Sequence, residues 1–264
     1  MKLKTFLFAT LLLPLCGSLN AQVNNIVVQD SNDLFYNIVD YRLPGVEVTY
    51  PNKKQCDLWK GHTLPSGIII FPGTIHYNDR TYEVAEVAPW TFSNCTGIVD
   101  VKFTDHLQAL GFSSFAFCEG LTEIQLPNSV NSIGGCAFLA CRNLRKVNIP
   151  EAVTVIKGHT FADCVSLTSI TLPKELTRIG RSAFDRSGLT SIVIPAKVNE
   201  IAPYAFRKCA ALASVKVQAT MPPVVAENAF DEIAADAVLL VPAGSRTAYM
   251  GDPAWSRFSR IEEF

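Results

Sequence analysis

Eight cysteines and four histidines are the residues of this 264-residue chain best suited to chemistry. A thiolate nucleophile needs a neighbouring base, and a structural zinc needs four ligands in a tetrahedron. Cys95, Cys118, Cys141 and Cys164 stand 23 residues apart, and Cys209 follows 45 residues after Cys164. A row of that kind is a poor shape for a tetrahedral metal. Disulfides between neighbours in a row would have parallel Cβ vectors and difficult torsions. Cys56 and Cys136 fall off the row, and spacing alone gives no reason to pair Cys136 with Cys141. His62, His76, His106 and His159 are isolated in sequence; His159, five residues before Cys164, is the one histidine that could meet a thiol of the row in space. Ser187 stands where the row expects another cysteine, a replacement that thiol chemistry would tolerate badly. The row therefore reads as packing, a role free cysteine fills well. No H-E-x-x-H, G-x-S-x-G or phosphate-cradling glycine loop occurs. Paired glycosidase carboxylates leave no short motif, but the regular spacing leaves little room for a catalytic insertion. The expectation is a protein with no catalytic site, no metal and no cofactor.

Elements that repeat must position such a row. Phe92, Phe115, Phe138, Phe161 and Phe184 are each 23 residues apart; Phe206 follows after 22 and Phe230 after 24. Each of the first six is followed by an apolar pattern, seen at Leu144, Val147 and Ile149 and again at Leu167, Ile170 and Leu172. Pro127, Pro150, Pro173 and Pro195 come next, and a second apolar pair, such as Val153 and Ile156, closes the unit. A fixed period of this length marks a solenoid. The L-x-x-I-x-L piece reads as a short strand with its apolar residues inward. Proline then ends the pairing, because it has no N–H for the ladder. The V-x-x-I pair makes a second extended crossing, and the A-F-x-x-C stretch a helical turn on the outer side. No unit can bury its own apolar face, so stacking must supply the core.

The pattern A-F-x-x-C-x-x-L-x-x-I-x-L-P-x-x-V-x-x-I-G, clearest at 137–158 and 161–180, resembles the BspA-like, or treponemal-type, leucine-rich repeats of bacterial secreted and cell-surface proteins. The resemblance covers roughly residues 84 to 230 and weakens in the 184–206 unit, where one residue is missing before Leu189. It implies a right-handed leucine-rich-repeat solenoid of short parallel strands and short helical turns, with a β-rich N-terminal cap and a mixed C-terminal cap. It implies a cell-surface binding or adhesion role, while such repeats serve unrelated partners.

Outward-facing strand positions flank each inward residue. They run Asp100 and Lys102, Glu123 and Gln125, Lys146 and Asn148, Ser169 and Thr171, Ser191 and Val193, Ser214 and Lys216. These form the candidate partner-binding face, charged at both ends with small hydroxyls in the middle. The Phe row reads as core. The tyrosines before position 83 and Trp59 are less regular; packing is their expected use, and stacking on a sugar is the other.

Charged residues are only 18% of the chain and the formal net charge is −1, so no basic face for nucleic acid is expected. The first 21 residues carry Lys2 and Lys4, an apolar run and a small-residue end at Ala21, as a secretory leader does. The rival reading makes Cys16 the lipid-bearing residue of a lipoprotein. Leu15 is not the small residue that usually precedes such a cysteine, so plain export comes first. No other stretch is long and apolar enough to span a bilayer. The chain thus divides into a leader (1–21), an N-terminal β cap (22–88), repeats (89–217) and a last partial repeat with its C-terminal cap (218–264). The expected partner is an extracellular protein, on a host or a neighbouring cell. A glycan is the alternative and an exported hydrolase the more distant one.

Overall fold

The phenylalanine row becomes a stack of rings. In the computed structural model, which describes residues 4–6, 26–29, 34–38, 45–49, 59, 62–77 and 79–264, successive rings from Phe92 to Phe230 lie 5.1–5.9 Å apart, centroid to centroid, with planes within 19° of parallel. Offset stacking of this kind adds to area burial, and the seven rings are almost wholly buried. The fold is a β-solenoid, most coils contributing two short strands and one run of turns.

The first strand of each coil builds one file: Gly67–Ile70, Ile98–Lys102, Glu123–Ile124, Lys146–Val147, Ser191–Ile194, Ser214–Val217, Val238–Val241 and Arg260–Glu263. Pairing is parallel and advances one period at a time: Glu123 sits opposite Lys146, and Ile192 opposite Val215. The file is three sheets rather than one, because Ile98–Lys102 and Glu123–Ile124 do not form a ladder and the coil at Ser169–Thr171 makes none. The V-x-x-I pairs build a second file from Arg80–Val87 to Val224–Val225. Between the files each proline carbonyl accepts the N–H three residues on, as Pro150 does from Val153. The turn is thus closed by a residue that could not have joined the ladder.

The A-F-x-x-C stretch holds turns, but not a continuous helix. N–H groups bond three residues back, as Cys141 does to Phe138, while alternate ones reach the next coil, as Phe138 does to Thr160 and Ala140 to Ala162. Two residues per coil adopt left-handed φ to make this alternation: Cys136 and Ala140, His159 and Asp163, Ser182 and Arg186, Tyr204 and Lys208. Few of these are residue types that favour the conformation, so the inter-coil bonds hold them there. The one α-helix among the described residues is Arg246–Gly251, and none is long and apolar enough to cross a membrane.

Both ends close the core. Thr74–Tyr77 pairs antiparallel with Arg80–Val87 in a hairpin that passes through left-handed Asp79. Gly45–Thr49 then continues the second file in parallel, and Phe35–Ile38, Ile26–Gln29 and Lys4–Phe6 follow in antiparallel order. At the other end Trp255 and Phe258 pack on Phe230 at 5.6 and 5.3 Å. The indole N–H of Trp255 donates to the Pro223 carbonyl and the Tyr249 hydroxyl to that of Ala219. These bonds fasten the cap to the last coil. Cys16, Cys56, Tyr41 and Tyr50 lie outside the described residues.

Candidate binding face

The cysteine row has a definite use. The thiol of Cys118 donates to the carbonyl of Phe92, Cys141 to Phe115, Cys164 to Phe138 and Cys209 to Phe184, each at 3.0–3.1 Å. Each of those carbonyls also accepts the cysteine N–H of its own turn or, for Phe184, that of Ser187. The thiol fills the second lone pair where no water reaches. All five thiols are free and buried, and burial pushes Cys95 and Cys141 up to about 12 and Cys209 up to about 11. They are the opposite of activated nucleophiles. Ser187 keeps a polar hydrogen in the slot, 3.3 Å from the sulfur of Cys209. Cys136, half-buried and off the row, is also free.

The outward strand residues do form one face. Lys102, Glu123, Gln125, Lys146, Ser169, Thr171 and Ser191 are exposed, and Asp100, Asn148, Ser214 and Lys216 are half-buried. Several already have partners within the protein. Lys102 lies 2.5 Å from Asp100, whose carboxyl that bond holds below its usual range. Lys146 lies 3.6 Å from Glu123 across one coil. The amide of Asn148 accepts from the N–H of Leu126 and donates to its carbonyl, at 2.7 and 2.8 Å. That side chain substitutes for a missing rung of the ladder. The ammonium of Lys216 sits 3.5 Å above the ring of Phe264. Polarity and position were readable from the repeat, but these engagements depend on which residue the neighbouring coil presents.

Sequence reasoning missed both ends of the face. Ile68 and Ile70, opposite Asp100 and Lys102, are 57% and 61% exposed. Their segment reads as a cap strand, yet it is the first member of the strand file. Of three consecutive isoleucines there only the middle one is buried, and nothing in the sequence says which of the three faces inward. At the far end Arg260 and Glu262 continue the face beyond Val238 and Leu240.

Charges round the rest of the coil pair at one-period spacing. Arg186 grips Asp163 with two bonds of 2.7 Å, and Arg207 holds Asp185 with bonds of 3.1 and 2.6 Å. The Arg186 guanidinium holds the Asp163 carboxyl below the usual range. Two hollows, of about 200 and 380 Å³, lie at the C-terminal cap. The larger contains Glu227 and Asp231, and Asp231 is paired with Arg257 at 2.8 Å.

Residues 85–213 match the BspA type leucine rich repeat region in six copies. The chain is a member of this leucine-rich-repeat family. A leucine rich cell surface protein of Faecalibacterium prausnitzii shares the fold, with 20% identity, TM-score 0.55, and coverage of 92% of this chain and 74% of that one. A leucine-rich repeat protein of T. pallidum is 28% identical over 71% of this chain and 70% of its own, with TM-score 0.45. One from Bacteroides ovatus is 21% identical with TM-score 0.48; this chain matches over 87% of its length and spans 66% of that protein. No curated protein matches the chain.

Proposed function

We propose that this chain is an exported, non-catalytic binding module that holds an extracellular protein, on a host or a neighbouring cell, against the outer face of its strand file. The observation that carries the reading is the face itself. It runs from Ile68 and Ile70 to Arg260 and Glu262, with an apolar end, a charged zone and a hydroxyl-bearing middle. Solenoids engage partners along extended surfaces of this kind, and aliphatic side chains exposed beside charge suit a protein partner better than nucleic acid. Adhesion is the role the family resemblance adds, and the cell-surface protein of Faecalibacterium prausnitzii shares the architecture. Export rests on the leader-like first 21 residues. The mature mass decides between a cut after Ala21 and a lipid on Cys16, since a diacylglyceryl adduct would overturn plain secretion.

The test is surface plasmon resonance of residues 22–264 against a panel of extracellular-matrix proteins. Ile68→Ser with Ile70→Ser, and Glu123→Ala with Lys146→Ala, form two double variants. A partner whose affinity falls about tenfold in either one supports the strand face, since interface energy concentrates in few residues. A partner retained by both variants would move the site elsewhere.

A further inference from the structure

Each coil satisfies the N–H groups of its turn with carbonyls, until the last. In the Phe206 coil the N–H of Phe206 donates to Ala229 and that of Lys208 to Asp231, both on the next coil. Those of Arg207 and Cys209 bond back to Tyr204 and Phe206. The four matching groups one coil on belong to Phe230, Asp231, Glu232 and Ile233. Among the described residues no carbonyl or side chain accepts from any of them. The cause is that the period runs out. Beyond Ile233 the chain goes to the strand Val238–Val241 and into the cap. There Trp255 and Phe258 pack on the last ring without supplying the carbonyls of another turn.

Unpaired backbone donors are uncommon in folded chains and call for a partner. Here they gather at one place. Phe230, Glu232 and Ile233 line the smaller hollow of the cap, of about 200 Å³, and Arg257 and Ser259 line it from the cap side. Glu232 is left-handed, and such a residue in a turn aims successive N–H groups into one concavity, an arrangement that favours anions. The Arg257 guanidinium donates to the Glu227 carbonyl and to Asp231, which leaves it further N–H groups. The rest of the wall is apolar, with Ala234, Ala237 and Phe258 beside Ile233. The carboxylates nearby already have cations: Arg257 holds Asp231 at 2.8 Å, and Lys208 lies 3.8 Å from Glu232.

We propose that this hollow holds the free C-terminal residue of a polypeptide that ends in an aliphatic side chain. The carboxylate lies against the N–H groups of Phe230 and Glu232 and the Arg257 guanidinium, and the side chain against Ile233 and Phe258. Backbone concavities capture terminal carboxylates in this way, and the bonds are charge-assisted. The hollow is smaller than the roughly 300–1,000 Å³ of a drug-sized site, so it suits one residue and not an oligosaccharide. A terminal residue is the part of a polypeptide that offers a carboxylate and an aliphatic group within that room. The site lies at the end of the solenoid and does not rest on the strand-face reading.

The N–H groups themselves provide the readout. Acetyl-Gly-Ala-Ala-Leu with a free carboxylate is titrated into nitrogen-15-labelled residues 22–264, and its C-terminal amide serves as the neutral counterpart. The amide resonances of Phe230 and Glu232 should move downfield and saturate with the acid. The amide peptide should bind at least about tenfold more weakly, the loss of one charge-assisted contact. Ala235 is exposed on the rim, so Ala235→Glu should weaken binding of the acid and Ala235→Lys tighten it. Arg257→Gln should weaken it by about the same tenfold; if that variant loosens the cap, the opposed Ala235 pair carries the test. Equal binding of acid and amide would overturn the carboxylate, and inorganic phosphate binding as tightly would overturn the aliphatic terminus. No shift of Phe230 and Glu232 at millimolar peptide, or binding indifferent to both Ala235 variants, would overturn the site.

Discussion

A cysteine that only packs and a cysteine that reacts look alike in a sequence. Spacing told them apart here: a residue recurring with the ring stack serves the stack. What spacing could not show was the bond from the thiols of Cys118, Cys141, Cys164 and Cys209 to the carbonyl of the phenylalanine one coil earlier, since a weak donor leaves no pattern beyond its own recurrence. Two outcomes follow from burial. Iodoacetamide at pH 8 should label Cys136 in the folded protein and leave Cys118, Cys141 and Cys164 untouched until denaturant is added, as peptide mass mapping will report. If Cys141 were labelled as fast as Cys136, the buried row would be wrong. The second outcome concerns alkali. The fold keeps these thiols protonated, so their folded pKa values lie above the unfolded value of about 8.5. That stabilisation is complete below the unfolded pKa and disappears as pH rises towards about 12 for Cys95 and Cys141. Each such thiol removes up to about 1.4 kcal/mol per pH unit in that window. Urea midpoints at pH 8 and pH 10.5 should therefore fall further for the parent chain than for Cys141→Ala.

At the scale of the element, strands were easier to foresee than turns. Alternation and terminal proline announce a strand, and the second strand file follows from the V-x-x-I pairs. The left-handed pair in each turn had no such announcement, because Trp90, Ala140 and Lys208 are unremarkable there as residue types. The inter-coil bonds impose that conformation. The break in the strand file at Ser169–Thr171 was equally silent. The paired charges separate into two kinds. Asp185 is 2% exposed and depends on Arg207, with Arg186 as a second contact at 3.3 Å. Arg207→Ala should cost about 2–3 kcal/mol in denaturant unfolding, because removing one partner of a buried pair strands the other. The pair of Lys197 and Glu175 is more than half exposed at both side chains, and Lys197→Ala should cost under about 1 kcal/mol. Equal losses in the two variants would mean that Asp185 is rehydrated rather than stranded.

For the whole molecule the period is the governing quantity. Residues 139–161 can be removed as one unit of 23, which joins Phe138 to Ala162 and should stack Phe138 on Phe184. That deletion should fold, with lower stability and a smaller denaturant slope, since stability in such arrays is a sum over coils and their interfaces. Deleting 139–156 instead, 18 residues, should yield insoluble chain, because every downstream apolar residue then leaves its row. Truncation after Gly244 should also fail, since it bares Phe230 and removes Trp255 and Phe258. The candidate face was legible as polarity and location; its apolar end at Ile68 and Ile70 was not, because a terminal strand carries no repeat to register it. The second left-handed position of each turn accepts Phe117, Ala140, Asp163, Arg186 and Lys208 alike. A row so indifferent to its occupant behaves as a ruler. Probes attached at 117 and 208 would stand four coils apart, about 19 Å at one strand spacing per coil. The exposed marks at Phe117 and Lys208 can each be addressed by one substitution, without rewriting the coil that carries it.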